Sequence, residues 1–385
     1  MLNNSILDCR MNNKDKELLI FCDNLIKQLN CKSNNQKEEK SFKKKIAIIY
    51  DIDGWAFHNI AIQIQKNLSD IFEIDIIPVS VFGDNIVKLV FLASNYDLVH
   101  CLWRGLISCL DNQFSQEYIK NLGLTFEQFF ERYMSKVNFT SSVYDHNFLT
   151  EDTISNTNSF IKYVKNYTVS SNCLMKIYEH KNLQKAPKMV ISDGVDLEKF
   201  SPKNLQRFKN IDTRKIVIGW VGNSKFLDSE NDEDLKGIRK IINPVLKELV
   251  NEGQPIEIKF ADRNQKYIPH EEMPFYYDSI DLYICASKNE GTPNPVLESM
   301  AMGIPIISTD VGIVRDAFGK EQTRFILEKR TQECLKEKII ELINDRELFQ
   351  KLSDENLEQI KSWSWKEKCN QFATFFKENL KDIKE

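Results

Sequence analysis

From Lys45 onward, short runs rich in Ile and Val alternate with polar helical patterns, and few folds satisfy that alternation. A chain written strand, helix, strand builds a parallel sheet, because each crossover helix carries it back to start the next strand from the same end, and such sheets are covered on both faces. Strands are expected over 46–50, 74–79, 98–101, 137–143, 167–170 and 189–191, with a helix over about 60–68. A turn-rich break follows, Ser192-Asp193-Gly194-Val195-Asp196-Leu197-Glu198-Lys199-Phe200-Ser201-Pro202. The alternation then restarts: strands over 216–221, 256–260, 281–286 and 304–308, helices over about 235–250 and 271–279, and closing helical patterns over 331–343, 346–360 and 365–380. The expected fold is therefore α/β, with two doubly wound Rossmann-like domains facing across a cleft and an N-terminal helical extension.

The expected boundaries are a helical extension with a basic linker over 1–42, a first Rossmann-like domain over 43–195, a second over 196–362, and a terminal helix over 363–385 that crosses back to the first. Within the extension, Leu18, Leu19, Cys22, Leu25, Ile26 and Leu29 recur at helical spacing, while residues 32–45 carry six lysines against two glutamates. Two readings stay open: packing on the body or on a second copy, and docking on an anionic membrane surface. Oligomeric state is not legible.

A net charge of -4 and a pI near 5.9 argue against a nucleic-acid partner, which calls for a basic domain or stripe. Nine cysteines without a Cys-x-x-Cys pair read as reduced thiols in a cytoplasmic protein, peripheral on the inner membrane face if the extension docks there. Five scattered histidines give no zinc spacing. No run approaches the ~18 apolar residues of a membrane span, and no signal-peptide pattern opens the chain.

The chemistry concentrates in Asn289-Glu290-Gly291-Thr292-Pro293-Asn294-Pro295-Val296-Leu297-Glu298, between two expected strands. Asn294 reads as an N-cap and Pro295 as the first helical residue, which puts Glu290 at a strand's carboxyl end and Glu298 in the first turns of the next helix. Helix N–H groups at 294–296 attract an anion, whereas the carboxylates suit hydroxyl groups. Anion plus polyol suggests a nucleotide sugar. Lys225, after Gly222-Asn223-Ser224, and Lys236, before Gly237, supply cations for a diphosphate without a metal or other cofactor.

Three motifs in this order resemble the retaining glycosyltransferases of family four: Glu290 and Glu298 with seven residues between them, the linker from Asp193 to Pro202, and Lys236-Gly237. The resemblance implies the two-domain B-type fold, an acceptor held by the first domain and a nucleotide-diphosphate sugar held by the second. It implies that Glu290 faces the transferred sugar and Glu298 the ribose. The implied donor-binding set is Gly222, Asn223, Lys225, Lys236, Gly291, Thr292, Asn294, Val296, Leu297 and Glu298, with His146 beside Glu290 near the reacting sugar; Arg263, after the strand expected over 256–260, reads either as a donor-binding border of the base pocket or as a surface turn. An arginine commonly follows the first glycine of the donor-domain loop; here Lys225 follows Gly222 three positions on. Retention by same-face attack is implied, with no protein nucleophile, in bacterial surface polysaccharide assembly on a glycan or lipid-linked acceptor.

Other residues carry weaker signals. Trp55, His100 and Arg104 sit at expected strand ends of the first domain, as acceptor contacts would. Asp51-Ile52-Asp53 admits a metal reading, but its position favours a structural or acceptor-side role. The acidic run from Asp228 to Asp234 lacks the glycine that a calcium loop needs. Competing functions are a nucleotide-sugar epimerase or phosphorylase of the same fold and a non-catalytic glycan-binding subunit.

Overall fold

The computed structural model describes residues 43–83, 85–145, 149, 154–181, 183–209, 211–225 and 234–380, with side chains omitted at 155–157. The extension over 1–42 and His146 lie outside the described residues. The chain divides into two compact units, one reaching to Val169 and including Ile177–Met189 and the stretch from Cys369, the other made of Ser170–Lys176 and Val190–Lys368.

The first sheet consists of β1 (Lys45–Tyr50), β2 (Glu73–Pro78), β3 (Leu98–Cys101), β4 (Phe139–Val143), β5 (Asn166–Val169) and β6 (Met189–Val190), in the order β2-β1-β3-β4-β5-β6. Ile46, Ala47, Ile48 and Ile49 are at most 1% exposed, as a strand covered on both faces demands. The chain winds one way from β1 to β2 and the other way from β3 onward. The order therefore reverses between β1 and β3.

The second sheet repeats this plan with β7 (Ile216–Gly222), β8 (Ile256–Asp262), β9 (Leu282–Cys285), β10 (Ile306–Thr309) and β11 (Ile326–Leu327), ordered β11-β10-β9-β7-β8. Leu282 and Ile284 enter one core and Tyr283 and Cys285 the other, the two-residue period of a strand buried on both faces. The reversal lies between β7 and β9, which pair in parallel. Ligands of doubly wound sheets bind beyond the carboxyl ends of the strands at such a reversal.

The helix expected over 235–250 is not continuous. Pro244 has no N–H, and its ring excludes the usual approach of the Lys240 carbonyl. The chain responds with a wide turn over Ile238–Ile242, in which the Ile242 N–H reaches back to Gly237 O at 2.8 Å, before the helix Asn243–Asn251. The Lys240 carbonyl instead accepts from Gln332 Nε2 at 2.7 Å. The helix after β9 spans Asn294–Ala301 with Pro293 as its N-cap, one residue earlier than expected.

At the opposite end of the second sheet, Asp281 is 2% exposed and accepts from Arg214 Nη1 at 2.5 Å, Arg214 Nη2 at 2.7 Å and Val217 N at 2.9 Å. This bidentate pair clamps the starts of β7 and β9. Arg214 is 39% exposed, but Asp281 also faces Arg207, 11% exposed and 3.7 Å away, and removing the acid leaves that buried cation uncompensated, typically costing about 3–5 kcal/mol. Asp281→Ala is expected to lose about that much stability in urea unfolding followed by tryptophan fluorescence; a loss under about 1 kcal/mol would show that the pair does not hold the sheet.

Candidate functional site

Four loops meet beyond the carboxyl ends of the second sheet. The turn after β7 runs Asp234-Leu235-Lys236-Gly237, closed by Gly237 N donating to Asp234 O at 2.9 Å. It docks on the segment after β9, where Lys288 N donates to Leu235 O at 2.8 Å. Gly237 has φ of 72°, and a Cβ there would collide with the Ala286 carbonyl oxygen, so only glycine lets the two loops touch. Gly312, after β10, has φ of 54° and seats equally closely on the Gly291 carbonyl. Arg330, after β11, donates to Ala286 O at 2.8 Å and Asp234 O at 2.6 Å.

That packing brings the first two predicted residues together. Lys236 Nζ lies 2.5 Å from Glu290 Oε1, with the side chains 24% and 18% exposed. The turn that carries Lys236 is fixed by Asp234, itself in the left-handed region at φ of 44°, whose Oδ2 accepts from Arg239 N at 2.9 Å and Lys240 N at 2.7 Å. Burial, assisted by the Glu290 charge, pushes the neighbouring Cys285 thiol up.

Glu298 forms a second centre. Its side chain is 12% exposed, and its two oxygens accept from different donors, Oε2 from Tyr277 Oη at 2.6 Å and Oε1 from His270 Nε2 at 3.1 Å. Burial, then the Glu298 charge, holds the Tyr277 phenol well above its ordinary range, so it remains a donor. Tyr277 and His270 carry no sequence signal of their own. They come from the helix Met273–Tyr277 and the turn before it, and reach Glu298 only through packing. The nearest hint was the linker motif, whose Phe200 ring lies 5.5 Å from His270 and 6.0 Å from Tyr277.

The remaining donor-side residues divide. Gly291 is buried beneath the Gly312 turn, and Thr292 Oγ1 accepts from Asp193 N at 3.4 Å. Asn223 Oδ1 accepts from Lys225 N at 3.0 Å, and the Gly222 carbonyl accepts from Arg263 N at 2.9 Å, which folds the ends of β7 and β8 together. Asp262 supports this corner: burial opposes its charge, but hydrogen bonds from Ser224 and Asn264 hold its carboxyl below the usual range. Lys225 is exposed, and Arg263 lies outward over the Tyr267 ring at 5.5 Å.

Several expectations need correction. Val296 and Leu297 are wholly buried in the core, so their side chains do not reach a ligand. The Val296 N–H donates to Pro293 O at 2.8 Å and Pro295 has none, which leaves the helix start fewer N–H groups for an anion than the spacing implied. His100 is also fully buried, between Thr140 Oγ1 and Ser142 Oγ at 3.0 Å each, under Phe372, Phe375 and Phe376. Burial pushes its pKa down to about 3, so it is a neutral core histidine and not an acceptor contact. Arg104 is 7% exposed and pairs with Asp145 at 2.6 Å. Trp55 is 48% exposed at the helix start after β1, with Trp103, 43% exposed, after β3. Asp53 accepts from Tyr50 Oη at 2.6 Å and Asp51 from Ile52 N at 2.7 Å, each satisfied locally. Among the described residues no cluster of His, Cys, Asp or Glu could hold a metal ion, and no helix is long and apolar enough to cross a membrane.

Residues 258–359, which include Glu290, Glu298, His270 and Tyr277, match the family described as Glycosyl transferases group 1. The capsular polysaccharide biosynthesis glycosyltransferase CapM of Staphylococcus aureus is 25% identical over 223 residues, 51% of this chain and 58% of the relative. The chain thus spans just over half of that protein's length. Among solved structures, sucrose-phosphate synthase from Thermosynechococcus elongatus superposes with a TM-score of 0.60 at 14% identity, covering 87% of this chain and 99% of that one. Anabaena HepE in complex with UDP and glucose gives 0.59 at 12%, over 87% and 99%. Over residues 258–359 the chain is similar to the group 1 glycosyl transferases, and its two Rossmann-like units share the fold of these solved proteins.

Proposed function

We propose that this protein transfers a sugar, with retention of anomeric configuration and without a metal, from a nucleotide-diphosphate sugar to a hydroxyl of a glycan or lipid-linked acceptor in the cytoplasm. The observation that carries the reading is the Lys236–Glu290 pair, 2.5 Å apart at the reversal point of the second sheet, with Glu298 held nearby on the following helix. A lysine paired to a carboxylate is a cation that a more highly charged anion can draw away. At equal distance and dielectric, Coulomb attraction scales with charge, so a diphosphate carrying more than one negative charge outcompetes a single carboxylate for Lys236. That exchange frees Glu290, an acceptor-only group, to bond a hydroxyl of the transferred sugar.

Each piece then has a chemical task. Lys236 stabilises the negative charge that grows on the departing diphosphate, in a partly water-excluded site where such stabilisation is strongest. Glu290 orients the sugar as positive charge develops at its anomeric carbon. Glu298, with one lone-pair direction on each oxygen beyond those bonded to Tyr277 and His270, takes ribose hydroxyls. The departing phosphate accepts the acceptor's proton on the same face, so no protein nucleophile is required. CapM bears the name of a capsular polysaccharide enzyme and HepE was solved with UDP and glucose, which supports a surface-polysaccharide role and a nucleotide-sugar donor.

Glu290→Gln is expected to reduce kcat about 100-fold or more while nucleotide affinity changes little, because the charge acts mainly in the transition state. Steady-state kinetics beside calorimetry read the two effects separately, and near-normal turnover would remove Glu290 from the reaction. With an α-linked donor, proton NMR of the product made in excess EDTA is expected to show an α-glycoside formed at an undiminished rate. A β-product would overturn retention, and loss of turnover in EDTA would overturn the metal-free chemistry.

A further inference from the structure

The group that holds Glu298 from outside begins in the linker. Asp196 Oδ1 accepts from Glu198 N and Lys199 N, both at 3.1 Å, and Phe200 N donates to Asp196 O at 2.8 Å. This tight turn buries Phe200 to 2% exposure against the His270 and Tyr277 rings and presents Lys199 beside them. Lys199 Nζ lies 2.7 Å from His270 Nδ1. An ammonium group only donates, so Nδ1 is the acceptor and the neutral ring carries its proton on Nε2. That proton points at Glu298 Oε1, 3.1 Å away. The imidazole thus has one tautomer, chosen by a lysine on a different segment.

We propose that His270, set in its Nε2–H tautomer by Lys199, is a positioning residue that orients the Glu298 carboxylate toward the two adjacent ribose hydroxyls of the donor nucleotide. The inference rests on the reading of Glu298 as the ribose contact. Tyr277 alone fixes one oxygen and leaves the carboxylate free to turn about that bond; a second donor on the other oxygen fixes its plane. The His270 side chain is 45% exposed, so it contributes little to the core, whereas both its ring nitrogens are committed to this line of contacts. A planar acceptor of fixed orientation matches a rigid pair of vicinal hydroxyls better than a mobile one, because the ordering cost is met before the ligand arrives.

The test is calorimetry with UDP, GDP and ADP and their 2′,3′-dideoxy counterparts, using whichever ribonucleotide binds most tightly. In the unaltered protein the ribose form should bind about tenfold or more tightly than the dideoxy form, as expected for hydroxyls bonded to a charged group. Glu298→Ala should bring the two affinities together. His270→Leu should cut the ribose preference to a third or less while leaving dideoxy affinity unchanged, which also reports that the site is still folded. His270→Gln, which can return an N–H to the same carboxylate oxygen, should restore most of the preference. A ribose preference kept in His270→Leu but lost in Glu298→Ala overturns the positioning role alone. A preference kept in Glu298→Ala, or no binding by any of the three nucleotides, overturns the ribose reading and this inference with it.

Discussion

The contact on which the candidate site depends is main-chain against main-chain, where the turn after β7 meets the segment after β9. Gly237 makes it achievable, since a side chain there would strike the Ala286 carbonyl, and the Lys288 N–H to Leu235 carbonyl bond locks it. Arg330 then ties carbonyls from both loops to the end of β11. Lys236 and Glu290 are 54 residues apart in sequence, yet they meet because neighbouring parallel strands deliver their following loops to one place. The fold supplies proximity; the loops supply charge.

Two carboxylates eight positions apart consequently live in different electrostatic settings. Glu290 is matched by the Lys236 ammonium, which in the proposed reaction passes to the diphosphate, so that Glu290 would change its bonding when a donor enters. Glu298 is held instead by a buried phenol and an imidazole nitrogen. The first suits a group whose interactions shift along the reaction, the second a fixed point of recognition. The linker contributes to the second through Lys199 and Phe200, which gives that motif a physical task besides joining two units.

Much of the fold was legible because fully buried strands are conspicuous: the apolar runs in β1, β7 and β9 lie within one or two residues of their expected limits. The wide turn over Ile238–Ile242 was not, because the spacing of apolar residues continues across Pro244 while the backbone cannot. Glu290 was visible at an expected strand end, where topology makes position informative, and Lys236 as the cation before the glycine at the start of the next helix. The same logic failed at His100, which ends a strand but turns inward beneath three phenylalanines of the last helix, an arrangement that no local pattern records. Tyr277 and His270 were illegible for a related reason: their importance lies wholly in a tertiary partner.

The central claim is that the carboxyl end of the second sheet receives a nucleoside diphosphate, and thermal unfolding in the presence of these nucleotides tests it most directly. A ligand at about 100 times its dissociation constant stabilises the folded state by ~2.7 kcal/mol. One of the common nucleoside diphosphates is predicted to raise the unfolding temperature of the intact protein and to do so far less in Lys236→Ala. Unfolding temperatures unmoved by any of them, or moved equally with and without Lys236, would contradict the assignment.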